Sequence, residues 1–213
     1  MNRALMLLLL IPIACSDPVR EISDSGFGAF EVDLDVLPGR NQLVTTWYDT
    51  RHGGGEIYLR RLNSSLQGVG SERRVTMGTP DVSPFEPDVA VSGDRFAITW
   101  YERLADGRHQ VQLALFDRNA ELLKQSVISD PGRDGRIPVL VALDSGYFIA
   151  WVDSDFSAAS NNERRQVVGL RLDSDINGVG QAQVLAQASA TTLNLNAASQ
   201  NDRIWLVFNA EFE

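Results

Sequence analysis

Over Arg95–Glu102 (RFAITWYE), Phe96, Ile98 and Trp100 fall on one side of an extended backbone, and Ala97, Thr99 and Tyr101 fall on the other. Apolar residues at a period of two, rich in aromatic and β-branched types, predict a strand. Neither side is charged, so both faces need cover, as in a sheet packed between two other sheets. The pattern returns at Gln42–Asp49 (QLVTTWYD), Gly146–Asp153 (GYFIAWVD) and Arg203–Asn209 (RIWLVFN). The anchoring aromatics are Trp47, Trp100, Trp151 and Phe208, separated by 53, 51 and 57 residues.

Companion strands surround each aromatic strand. A second strand follows a polar loop at Glu56–Asn63, Gln110–Asp117 and Gln166–Asp173. A turn leads to a short third strand at Glu72–Thr76, Gln125–Ser129 and Ala182–Ala186. An apolar stretch precedes the aromatic strand, as at Pro87–Ser92 and Pro138–Leu143. The turns NSSLQGVG (Asn63–Gly70) and DSDINGVG (Asp173–Gly180) share Ser, Gly, Val and Gly in register. Four strands per unit, in up-and-down order at a period near 50, predict an all-β fold of four-stranded antiparallel blades, a β-propeller. About three and a half blades are present, near 27–78, 79–131 and 132–187, with a partial one at 188–213. An all-β sandwich is the alternative.

The wording of the first copy, W-Y-D-T-R, then G-G-G-E-I-Y, then R-L, resembles the repeats of exported bacterial propellers related to the sialidase-like, six-bladed superfamily. The resemblance runs over most of residues 35–209. It implies a propeller that usually closes with 4–8 blades. The chain is therefore expected to be a piece of a longer propeller, or to self-associate through an open sheet edge at Ile204–Phe208, which is apolar and uncharged. Sialidases also carry an arginine clamp, a Tyr–Glu nucleophile pair, an acid/base Asp and S-x-D-x-G-x-x-W boxes. No such box occurs here, and Pro138 of the Arg136-Ile137-Pro138 tripeptide repeats Pro87 one blade earlier.

The N-terminus is of another kind. Arg3 precedes an apolar run, Ala4–Ala14, too short to span a bilayer and of the length of a signal-peptide core. Residues 1–14 are read as a signal peptide and 15–26 as a polar tether. Cys15, the only cysteine, excludes an internal disulfide. Its place after Ala14 resembles the lipobox of bacterial lipoproteins, which implies lipidation of Cys15 and anchoring at the cell envelope. Ordinary secretion, with cleavage before Asp17, is the alternative. The net charge of −9 repels phosphate backbones and anionic lipid, so no nucleic-acid partner is expected, and membrane contact only through the lipid.

Candidate chemistry is sparse. No nucleophile elbow, H-E-x-x-H, P-loop or C-x-x-C occurs, and no catalytic residue is assigned. Both histidines, His52 and His109, fall in loops after aromatic strands, which share one rim of a propeller, and are candidates for binding a ligand. Asp49, Glu102 and Asp153 recur two residues after each Trp and are read as structural acceptors at strand ends. Asp173, Asp175 and Asn177, in the pattern D-x-D-x-N-G, place oxygen at alternate positions, as calcium loops do. The acid expected at the twelfth position is Val184, so calcium would be a weak structural ion, and no other cofactor is expected. The expected function is a non-catalytic binding or scaffold module for a protein or glycan ligand outside the cytoplasm. The alternative is a carbohydrate-active hydrolase of sialidase-like fold.

Overall fold

The computed structural model describes residues 22–24, 29–77, 82–155, 165–188 and 194–209. Cys15 and the apolar run before it lie outside them. Among the described residues the regular structure is all strand, and every paired strand is antiparallel to a neighbour in sequence. The first sheet holds β1 (Ala29–Leu37), β2 (Gln42–Asp49), β3 (Glu56–Asn63) and the two-residue β4 (Arg73–Arg74). The second holds β5 (Ser83–Ser92), β6 (Arg95–Arg103), β7 (His109–Asp117) and β8 (Leu122–Val127). The third holds β9 (Asp134–Leu143), β10 (Gly146–Ser154), β11 (Arg165–Asp173) and β12 (Gln183–Ala188). A two-stranded sheet of β13 (Leu195–Gln200) and β14 (Arg203–Phe208) follows.

The uncharged two-sided strands do what their pattern requires. Phe96, Ile98 and Trp100 of β6 pack toward the first blade, against Leu37, Val44, Ile57 and Leu59. Ala97, from the opposite face, packs toward the third blade with Leu140, Tyr147, Ile149 and Trp151. Val139, Val141, Phe148 and Ala150 then meet Leu195, Ala197, Ile204 and Leu206 of the two-stranded sheet. The core is thus a series of interlayers between successive blades. Trp47, Trp100 and Trp151 are fully buried in the middle of their sheets.

The first strand of each complete blade carries a bulge. Two residues of β1, Glu31 and Val32, oppose the single residue Trp47, because Phe30 pairs with Tyr48 and Asp33 with Thr46. The same slip sets Glu86 and Pro87 against Trp100, and Ile137 and Pro138 against Trp151. A bulge admits proline because the extra residue makes no ladder bond. Its first residue sits at positive φ in every blade: 53° at Glu31, 49° at Glu86 and 53° at Ile137. Left-handed backbone at a β-branched isoleucine is strained, and such strain persists only where surrounding structure enforces it.

Carboxylates tie the blades together near their first strands. Asp33 accepts a hydrogen bond from the Val89 N–H at 2.8 Å, Asp35 from Val91 at 2.7 Å, and Asp88 from Leu140 at 2.7 Å. At the far side of the blades the Asx turns do similar work. Lys124 donates to the Asn177 amide oxygen and to the Asp175 carbonyl, and Arg95 pairs with Asp175.

Candidate active site

The first strands β1, β5, β9 and β13 lie side by side and line one cleft of about 660 Å³. Sheets repeated about such an axis, each laid against the last, define the architecture. The fold is that of a β-propeller.

The bulges determine what faces its axis. The two residues around each slip, Glu31 and Asp33 in the first blade and Glu86 and Asp88 in the second, all line the cleft. The third blade offers Ile137 and Val139 there, and the fourth Asn194 and Asn196. The cleft is acidic on one side and apolar or amide-bearing on the other.

Glu86 and Asp88 are both pushed above the usual carboxylate range. Burial, and then the neighbouring charge of Glu31, push Glu86 up to about 7, against a partial pull back from the Tyr101 hydroxyl, which donates to it. Glu31 is held in place by the Glu86 backbone N–H, which donates to its Oε2 at 2.7 Å. Asp88 is also pushed well up, first by burial and then by a hydrogen bond to Asp33. Perturbed carboxyls gathered in a cleft are the ordinary mark of acid–base chemistry.

An aromatic series leads into this cluster. Tyr48 stacks on Phe85 at 5.7 Å, Phe85 on Tyr101 at 5.5 Å, and the Tyr101 ring meets His109 edge-on at 5.4 Å. His109 Nδ1 lies 2.9 Å from Asp134, which also pairs with Arg136 at 2.6 Å. Burial would raise the Asp134 carboxyl, but the bonds from His109 and the charge of Arg136 outweigh it and hold it below the usual range. One of the two rim histidines is therefore connected, through Tyr101, to the acidic cleft. His52 is exposed at a loop tip. Most of the longest rim loop, residues 156–164, lies outside the described residues.

The other sequence candidates find local uses. Asp173 accepts from the backbone N–H groups of Asp175 and Asn177, and from the Asn177 amide. With Lys124 and Arg95 on Asp175 and Asn177, this turn is an ion-paired contact between the second and third blades. Among the described residues no group of three His, Cys, Asp or Glu side chains is arranged to hold a metal ion. The repeated acids are structural acceptors, with a partner that was not foreseen. Asp49 takes the Trp47 indole N–H at 3.2 Å and Glu102 that of Trp100 at 2.9 Å, while Asp49 also accepts from the Arg51 backbone. In the third blade Asp153 is taken instead by Arg133 and by Gln166.

Comparison with known proteins adds the following. No family model matches the chain, and no curated protein matches it. Among solved structures, the endo-arabinase of Bacteroides thetaiotaomicron VPI-5482 is 16% identical with a TM-score of 0.45, over 70% of this chain and 58% of that one. A GH43 endo-arabinanase from Bacillus licheniformis is 15% identical with a TM-score of 0.45, over 85% of this chain and 72% of that one. A third structure, described as a glycoside hydrolase, is 12% identical with a TM-score of 0.44 and is spanned over 42% of its length. The expected non-catalytic module is corrected on these findings. The structures found are named as glycoside hydrolases, on the side of the alternative reading. The expectation also rested on seeing no convergent ionisable groups, and the axial cleft holds four. Glu31, Asp33, Glu86 and Asp88 were missed. The available signal was E-x-D before two successive aromatic strands, at 31–33 and again at 86–88.

Proposed function

We propose that the axial cleft hydrolyses a glycosidic bond, with Glu86 as general acid and Glu31 as the carboxylate that activates water. The reading rests on one observation: Glu86 is held protonated up to about 7 next to a second, exposed carboxylate at the same end of the cleft. Two carboxyls whose environments push their titrations apart can divide acid and base between them. In the reaction Glu86 gives its proton to the leaving glycosidic oxygen as the bond to the anomeric carbon breaks. Glu31 takes a proton from the attacking water, whose oxygen forms the new bond to that carbon. Tyr101 holds the Glu86 carboxyl, and His109, Asp134 and Arg136 hold Tyr101 from behind.

No arginine lines the cleft among the described residues, so the proposed substrate is a neutral glycan and not an acidic sugar. The chain spans 58% of the length of the first structure above and 42% of the third. Export and lipidation at Cys15 belong to the same proposal, since an extracytoplasmic glycanase must meet its polymer outside the cell. Radioactive palmitate should label the protein, and Cys15→Ser should abolish the label.

The catalytic test is a panel of arabinan, xylan and galactan followed by reducing-sugar release. Glu86→Gln should lower turnover of the glycan by about 10²–10⁴-fold. It should spare dinitrophenyl glycosides, whose leaving group needs no proton. Absence of hydrolysis by the wild-type chain on all these glycans, or full activity in Glu86→Gln, overturns the assignment.

A further inference from the structure

The third blade breaks the pattern of the first two at one atom. In those blades the indole N–H of the central Trp is satisfied by the acid two residues later. In the third, Arg133 arrives from the loop between β8 and β9 and draws Asp153 away, with Gln166 donating to the same carboxylate oxygen at 3.1 Å. Trp151 is 2% exposed, and its Nε1 is left buried with no hydrogen-bond partner among the described residues. A buried donor without an acceptor is costly and uncommon in a folded protein.

That indole lines a second cleft, of about 470 Å³, between the second and third blades and separate from the axial one. Its walls are of two kinds. Ile128, Val168 and Val184 join the indole on the apolar side, while Asp153, Arg133 and Gln166 stand on the polar side. Arg133 is already paired with Asp153 and Asp155, and Asp130 lines the cleft as well. Acidic groups therefore outnumber the one cation, which disfavours an anionic ligand. The unpartnered indole N–H at this wall, a donor and not an acceptor, disfavours a metal ion or an ammonium. What fits is a neutral molecule with a hydroxyl oxygen for the indole, further hydroxyls for the Asp153 carboxylate and the Gln166 amide, and a C–H face for the apolar wall.

We propose that this inter-blade cleft is a binding site for a neutral sugar residue, anchored by the Trp151 indole N–H and the Asp153 carboxylate. It is non-catalytic and independent of the axial carboxylates. It would hold a glycan chain on the flank of the propeller, away from the axis.

The test follows the tryptophan indole ¹⁵N–¹H resonances of the full chain, with the Trp151 signal identified by its loss in Trp151→Phe. D-Galactose, D-xylose and L-arabinose are titrated in turn, with acetate as the anionic control. The Trp151 resonance should move saturably with at least one sugar and stay unmoved by acetate. Calorimetry on Trp151→Phe, after circular dichroism shows it folded, should find that sugar bound about three- to ten-fold more weakly, the effect of one lost hydrogen bond. Glu86→Gln should leave the titration unchanged, which separates this site from the catalytic proposal. A resonance that stays fixed with every sugar, one that moves only with acetate, or unaltered affinity in Trp151→Phe would each overturn the assignment.

Discussion

The same substitution made in two blades should give unequal results. Trp100→Phe and Trp151→Phe remove equal side-chain volume from equivalent, fully buried positions. The cavity cost is therefore similar at the two sites and largely cancels in the comparison. The hydrogen bond does not cancel. Trp100 gives its N–H to the Glu102 carboxylate at 2.9 Å, and a bond to a charged acceptor is worth about 1.5–3 kcal/mol. Trp151 finds no acceptor among the described residues, so the phenyl ring removes a stranded donor that costs about 1–3 kcal/mol. Trp151→Phe should thus be more stable than Trp100→Phe by about 3 kcal/mol or more. Trp47→Phe should fall between them, because its bond is longer, at 3.2 Å, and Asp49 keeps Arg51. Urea unfolding at neutral pH, followed by far-ultraviolet circular dichroism, measures each difference, provided the denaturant slope is unchanged. Equal losses in Trp100→Phe and Trp151→Phe would refute the argument, since the indole–acid bond would then contribute nothing.

Further outcomes follow from the same contacts. Glu86 is raised from 4.5 to about 7 in the folded chain, so its contribution to stability is complete below 4.5 and is lost as the pH rises through about 7. Glu86→Gln should therefore gain stability relative to wild type across that window and match it in acid; a pH-independent difference would show that Glu86 titrates normally. Asp88→Ala strands the Leu140 N–H and should cost about 1–3 kcal/mol, while Asp88→Asn keeps an acceptor and should unfold close to wild type. Equal destabilisation by the two would remove the inter-blade tie. In β14, Trp205 is 49% and Val207 70% exposed on a sheet edge with no partner strand among the described residues. A chain of residues 17–213 should self-associate in sedimentation velocity, and Trp205→Lys with Val207→Lys should make it monomeric; a wild-type monomer at all concentrations contradicts this.

The blades could be read from the sequence because each is held by a local, repeating pattern: alternation about a Trp, then an acid, then a polar loop. Predicted bounds such as Gln42–Asp49 and Glu56–Asn63 coincide with β2 and β3. The axial site could not be read the same way. Glu31 and Glu86 meet across 55 residues of chain, and only because a bulge places two residues opposite one Trp. Alternation does not encode that slip, and Pro87 and Pro138 drew attention as markers of repeat position when they were marking the bulge. The acids also fail to recur in the third and fourth copies, so they do not register as part of the repeat. The stranded indole was hidden for a related reason. Asp49, Glu102 and Asp153 hold equivalent positions, and only the arrival of Arg133 from a different segment makes the third behave differently.

The bulge separates two jobs that most strands combine. Opposite it, in every complete blade, is a tryptophan that the scaffold cannot do without. At the slip itself are residues whose backbone path is the same in each blade while their side chains differ, written E-V-D, E-P-D and I-P-V in successive copies. Duplication of such a unit delivers a ready-made address facing the axis, and drift can then give each address different chemistry while the opposing tryptophan keeps its place. An asymmetric catalyst can arise in this way inside a near-symmetric frame. A library randomised only at 31 and 86 would vary the chemistry facing the axis while keeping Asp33, Asp88 and every interlayer tryptophan in place.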